Sequence, residues 1–112
     1  MTQRVRTLAW TLPPDAYGRR HLEVSQLASG DVSVAGHDIG AALPGGTSEY
    51  EYAWTIPGAE IAELVTALGG GPGEDVLALL VAGFPTNPSA RLGPFFEEHG
   101  IHARFWSRYG DD

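Results

Sequence analysis

Four ionisable residues at two points of the chain could act together chemically: His37, Asp38, Glu49 and Glu51. An imidazole with two or three carboxylates is a ligand set that can hold a divalent cation. The spacing matches no known metal motif, and Asp38 is better suited to accepting backbone hydrogen bonds in the loop that follows it. We therefore keep His37 and Asp38 as loop candidates only. A small hydrolase-type or metal-binding protein centred on these four residues is the alternative to the function preferred below.

Other patterns that resemble catalytic motifs have simpler explanations. The glycine-rich run at 69–73 follows a helical pattern and lacks the Gly-Lys-Ser/Thr ending of a phosphate loop, so it predicts a helix–helix turn. His99 and His102 flank a helix end and are expected to point apart. The chain has no cysteine and no Gly-x-Ser-x-Gly elbow. We assign no catalytic residue, no metal ligand and no cofactor, and we expect a protein that is not an enzyme.

A different set of residues points to protein recognition. Between Ser48 and Ile56 aromatic and apolar residues alternate with Glu49, Glu51, Ala53 and Thr55, which predicts a half-buried strand with an acidic outer side. A second alternation near the C-terminus predicts a strand that could join the same sheet. The uncovered face of that sheet would carry Glu49, Glu51, His102, Arg104 and Trp106. Such a face is typical of a partner-binding surface, although ordinary cross-strand ion pairs beneath Trp106 would give the same pattern.

The spacing of apolar residues has the period of strands in the first half of the chain and that of helices in the second, and it returns to the strand period near the C-terminus. Four strands are predicted first, then a loop-free join at Pro57, three helices and a last strand. The predicted strands are Val5–Leu12, His21–Leu27, Val32–Ile39, Ser48–Ile56 and Ile101–Ser107; the helices run from about 57 to 68, 74 to 84 and 89 to 99; and a surface loop spans Gly40–Thr47. We therefore predict an α+β fold, order β-β-β-β-α-α-α-β, with an antiparallel sheet of four to five strands and three helices on one face. The 112 residues should form a single domain with a frayed tail from about Tyr109.

The charge of the chain is strongly uneven. Its formal net charge is −7, and residues 21–100 carry eleven acidic residues against a single arginine, Arg91. An acidic body disfavours nucleic acid as a partner and favours a basic protein. We see no apolar segment long enough for a membrane span and no signal peptide, and together with the absence of cysteine this predicts a cytoplasmic location. The sequence does not decide between a monomer and a homodimer.

Several segments resemble a group of small actinobacterial proteins that carry no established activity. The segments are Gly36–Gly40, Glu49–Tyr52, Ala67–Gly70 with Gly73–Leu77, and Gly100–Ile101 with Phe105–Ser107. The resemblance covers about residues 32–108 and transfers no catalytic residue. Glutamine is common in that group where His37 stands, which implies that His37 is not an obligatory ligand. Small acidic α+β proteins of such genomes include immunity proteins that neutralise toxins, so we expect a protein-binding, immunity-like domain with a basic partner.

Overall fold

The computed structural model describes residues 3–10, 19–39 and 49–110, and within these ranges it confirms the predicted α+β fold and element order. The elements are β1 (Arg4–Ala9), β2 (Arg19–Leu27), β3 (Val32–Ile39), β4 (Glu49–Ile56), α1 (Ile61–Ala67), α2 (Val76–Gly83), α3 (Pro88–Glu98) and β5 (Arg104–Gly110). The strands form one sheet in the spatial order β1-β2-β3-β4-β5, and each neighbouring pair is antiparallel.

The β2–β3 hairpin shows why this order follows from the sequence. Its turn needs a positive φ, which Gly30 supplies at +94°, and the Leu27 N–H donates to the Asp31 carbonyl at 2.9 Å. Glycine at that position costs no strain, so the two strands pair directly. The same Asp31 then accepts the Gly58 N–H at 2.8 Å through its side chain, which ties the turn to the start of the helical half.

One face of the sheet and the three helices enclose the core. The alternation of β4 places Tyr52, Trp54 and Ile56 on this face, where their exposure is 8% or less. The residues that share the core with them come from β2, β3 and every helix: Leu22, Val24, Val32, Val34, Leu64, Leu77, Leu80, Leu92 and Phe96. Within the described residues, the opposite face of the sheet is consequently held by cross-strand contacts.

The helices are joined by the short turns that the glycines predicted. Gly69 and Gly73 adopt φ values of +84° and +82° between α1 and α2, so the glycine-rich run is a helix–helix turn. Asp75 caps α2 by accepting the Leu77 N–H at 3.1 Å, which satisfies one of the free amide groups at the helix start. The Arg6 side chain of β1 donates two hydrogen bonds to the same carboxylate, one of them at 2.8 Å.

The last strand lies three residues later than predicted. α3 ends at Glu98, Gly100 follows with a φ of +68°, and the buried Ile101 then donates its N–H to the Phe96 carbonyl at 2.9 Å. Residues 101–103 are therefore used to leave the helix and fill the core, and β5 begins only at Arg104. β5 includes Tyr109 and Gly110, the first two residues of the tail that the sequence predicted to be frayed.

Two smaller differences concern the first half. β1 is Arg4–Ala9, so the described Trp10 is not part of it as predicted, and β2 begins at Arg19, two residues before the prediction. The predicted strand positions 11 and 12 and the predicted loop at Gly40–Thr47 lie outside the described residues. Among the residues that are described, no helix is both long and apolar enough to cross a membrane.

Candidate functional site

The open face, by which we mean the side of the sheet opposite the three helices, holds most of the residues predicted for partner binding. Register places Glu51 of β4 between His37 of β3 and Arg108 of β5. One step further along, Ala53 lies between Ala35 and Trp106. Glu49, Glu51, Arg104 and Trp106 therefore share this face, as the alternation of the two strands implied.

A shallow trough of about 420 Å³ runs across the centre of the open face. Its floor is made of short side chains, among them Ser33, Ala35 and Ala53, while Trp106 stands at one side and Glu23 at the other. Because alanine and serine fill little space between larger neighbours, the trough has room for a side chain from another molecule. Trp106 is 53% exposed, so its indole is available for such a contact.

The charged groups around the trough are arranged in pairs. Arg108 donates to Glu51 at 3.0 Å across the β4–β5 ladder. On the far side, Glu23 accepts from Arg4 at 2.6 Å and lies 3.2 Å from the His21 ring. Each pair is solvated, and such pairs contribute up to about 1 kcal/mol to stability. They orient the charged groups around the trough more than they hold the fold together.

His37 occupies a distinct position within this arrangement. Its Nε2 atom is buried and has no hydrogen-bond partner among the described residues. The nearest carboxylate oxygens belong to Glu49 and Glu51, at 3.8 and 3.9 Å, which is too long for a hydrogen bond. The side chain of Glu49 is 41% exposed, and among the described residues this long contact to the His37 ring is the shortest that it makes to a basic side chain.

Asp38 does not belong to the same site as His37, and the four-residue constellation considered from the sequence is wrong in this respect. Consecutive strand residues point to opposite faces, so Asp38 lies opposite Tyr50 on the helical side. There burial, and next the Asp38 carboxylate, raise the pKa of Tyr52 to about 12. Within the described ranges, no group of three His, Asp or Glu side chains could hold a metal ion.

His102 also lies away from the open face, contrary to the prediction that placed it on the last strand. It precedes β5, and both its backbone N–H and its ring contact the carboxylate of Glu60, next to α1. The Glu60 carboxylate accepts the His102 N–H at 2.7 Å and lies 3.1 Å from the ring Nδ1. His99, by contrast, packs against the Phe95 ring at 4.4 Å, so the two histidines have separate partners.

Sequence reasoning missed Arg108, Arg4, His21 and Glu23. Arg108 was missed because the predicted last strand ended at Ser107, three residues before the end of β5. Had the alternation been followed to Tyr109, position 108 would have fallen on the same face as Trp106. The other three residues lie on strands without an aromatic marker, and only the β1–β2 and β2–β3 registers bring them to the trough.

No protein-family model matches the chain, and neither a curated protein nor a solved structure is significantly similar to it.

Proposed function

We propose that this chain is a cytoplasmic, non-enzymatic protein-binding domain that recognises its partner through the open face. The observation that supports this most directly is the trough, with its short-chain floor, its exposed Trp106 and its border of charged groups. Partly exposed tryptophan beside an indentation is the kind of group that carries binding energy in protein interfaces. The charged side chains around the tryptophan would exclude water from the contact and set the orientation of the partner.

The partner we propose is a basic protein. Glu49 has no short ion pair among the described residues, and Glu51 keeps part of its carboxylate exposed beside Arg108. An arginine or lysine of the partner would satisfy both carboxylates better than the long contact to His37 does. An immunity-like domain that neutralises a basic toxin would use such a surface, and we propose this as the biological role.

The acidic surplus that would attract a basic partner does not lie on the open face itself. Glu23, Glu49 and Glu51 are balanced in number there by Arg4, Arg104 and Arg108, although only Glu23 and Glu51 form ion pairs with them. The helical side carries exposed acids such as Glu97 and Glu98. The net charge of −7 therefore acts at long range on the rate of association. The open face supplies the short-range contacts, which decide how slowly the complex dissociates.

This division suggests a test with two matched variants. Glu49→Lys/Glu51→Lys changes the open face, and Glu97→Lys/Glu98→Lys makes the same change of net charge on α3. Wild type and both variants would be immobilised and exposed to lysate of the native host, and the captured proteins would be quantified by mass spectrometry. A protein captured by wild type would then be purified, and its association and dissociation rates measured against all three.

We expect the open-face variant to lose at least about tenfold in affinity relative to the α3 variant, mainly through faster dissociation. Circular dichroism and thermal unfolding would establish that both variants remain folded. Equal losses in the two variants would show that only long-range charge matters, and the assignment of the open face would then be abandoned. Glu49→Gln/Glu51→Gln provides a gentler second measurement, because it removes the charges without introducing repulsion from Arg108.

A further inference from the structure

β5 forms an edge of the sheet, and its outer side is exposed. It pairs with β4 alone, and no other described strand lies beside it. The exposed fractions of Phe105, Trp106 and Tyr109 are 54%, 53% and 50%. An edge strand with large apolar side chains presents unpaired N–H and C=O groups that can continue the ladder with another strand.

The opposite edge of the sheet is built differently. β1 contains an irregularity in its register between Arg4 and Arg6, with Val5 inserted between them. A bulge of this kind twists an edge strand away from regular pairing. The register of β5 against β4, in contrast, runs without a shift from Arg104 to Gly110. Of the two edges, β5 alone offers a straight template for a further strand in the described structure.

The sequence of β5 is complementary to itself in one antiparallel register. If a two-fold axis perpendicular to the sheet passes through Ser107, Trp106 faces the partner subunit's Arg108, and Phe105 faces the partner subunit's Tyr109. Arginine stacked on tryptophan and a pair of aromatic rings are both favourable cross-strand contacts. The two Phe105–Tyr109 pairs would lie on the helical side, and the two Trp106–Arg108 pairs on the open face.

The neighbouring registers are unfavourable. An axis through Trp106 would place Arg104 opposite the partner subunit's Arg108, and an axis through Arg108 would place that arginine opposite its own copy. Like charges directly opposite one another destabilise a strand pair. Charge therefore disfavours both neighbours of the register centred on Ser107. That register also pairs β5 over its whole length, because Arg104 then lies opposite the partner subunit's Gly110.

We propose that two copies of this chain associate through β5 in this register and join their five-stranded sheets into one of ten strands. The pairing is isologous and closes on itself, so it would also protect the exposed edge from unlimited aggregation. Both open faces would then form one continuous surface. The proposal does not depend on the partner-binding function, because it is tested with the purified protein alone.

The first test is the mass of the protein in solution. Sedimentation analysis from micromolar to near-millimolar concentration should show wild type passing from a monomer of 11.9 kDa to a species of twice that mass. Trp106→Arg places a cation opposite the partner subunit's Arg108 and should weaken the dimer by at least about tenfold. Trp106→Glu places a carboxylate there and should weaken it much less. Trp106 is exposed, so neither substitution should unfold the chain.

A single introduced cysteine tests the register directly. Paired residues in an antiparallel sheet have Cα atoms about 4.5–5.5 Å apart, which suits a disulfide. The wild-type chain contains no cysteine, so Ser107→Cys should form a disulfide-linked dimer rapidly under mild oxidation. Ser29→Cys, in the exposed β2–β3 turn, serves as the control and should react more slowly. A monomer at all concentrations, equal effects of the two Trp106 substitutions, or equal rates for the two cysteines would overturn the proposal.

Discussion

Substitution of Gly36 by alanine tests how tightly β3 and β4 are joined beneath the helices. A Cβ atom at Gly36 would lie 2.1 Å from Tyr52 Cζ and 2.3 Å from its hydroxyl oxygen, well inside van der Waals contact. The ring has little room to withdraw, because it stacks on Tyr50 at 5.2 Å and meets Trp54 edge-on at 5.6 Å. Overpacking a core costs about 1–3 kcal/mol, and the rigid surroundings place this case at the upper end. The reduced chain entropy of alanine would return about 0.5–1 kcal/mol, so we expect a net loss of about 2–2.5 kcal/mol.

A double-mutant cycle would identify the clash as the cause. The free energy of unfolding would be measured in urea for wild type, Gly36→Ala, Tyr52→Leu and the double variant. Tyr52→Leu should itself destabilise the protein, but in its presence Gly36→Ala should cost less than about 1 kcal/mol, since the ring is gone. If Gly36→Ala costs less than about 1 kcal/mol in wild type, or the same in both backgrounds, the packing argument for this position fails.

Two further predictions concern ionisable groups that stabilise the fold. The hydrogen bond from Arg6, and after it the backbone N–H groups at the start of α2, lower the pKa of Asp75 in the folded protein. The ionised carboxylate therefore stabilises the fold at pH values above the pKa of Asp75 in the unfolded chain. This stabilisation is lost as the pH falls through the pKa of Asp75 in the folded protein. We expect Asp75→Ala to lower the free energy of unfolding by about 1 kcal/mol at pH 7, the usual cost of a lost helix cap, and by clearly less near pH 3; an equal loss at both pH values, measured in urea, would contradict this. Tyr52 behaves in the opposite sense: its pKa of about 12 exceeds the unfolded value of about 10, so stability should fall as pH rises from about 10 to 12, by about 2–3 kcal/mol through this group alone. Tyr52→Phe should remove that part of the alkaline slope, and an unchanged slope would refute the assignment.

Elements whose stability is local were predictable from the sequence. The alternation in β4 and the apolar stripes of α1 and α3 each reflect one face packed against one core, so period alone identified them. β5 was misplaced because its first predicted residues, Ile101 and Ala103, continue the same apolar alternation. What separates them from the strand is the backbone at Gly100 and the packing of Ile101 into the core, and both are tertiary effects.

The candidate site was predictable to the extent that it depends on strand parity. Glu49, Glu51 and Trp106 reach the same face because residues at even spacing on paired strands must do so. The same rule separates His37 from Asp38, because adjacent residues of a strand point to opposite faces of the sheet. The placement of His102 by Glu60 depended on a contact between residues 42 positions apart, for which the sequence contains no signal.

The separation of the core from the open face has a consequence for how this surface can evolve. All the described buried apolar side chains lie on the helical side or at the helix ends, whereas the open face is held by exposed pairs such as Arg108 and Glu51. Removing such a pair costs up to about 1 kcal/mol, a small part of the 5–15 kcal/mol that stabilises a typical domain. Substitutions around the trough can therefore alter which partner is bound while the fold persists. Gly36 marks the limit of this freedom, because a Cβ atom at that position would meet the Tyr52 ring on the helical side of the sheet.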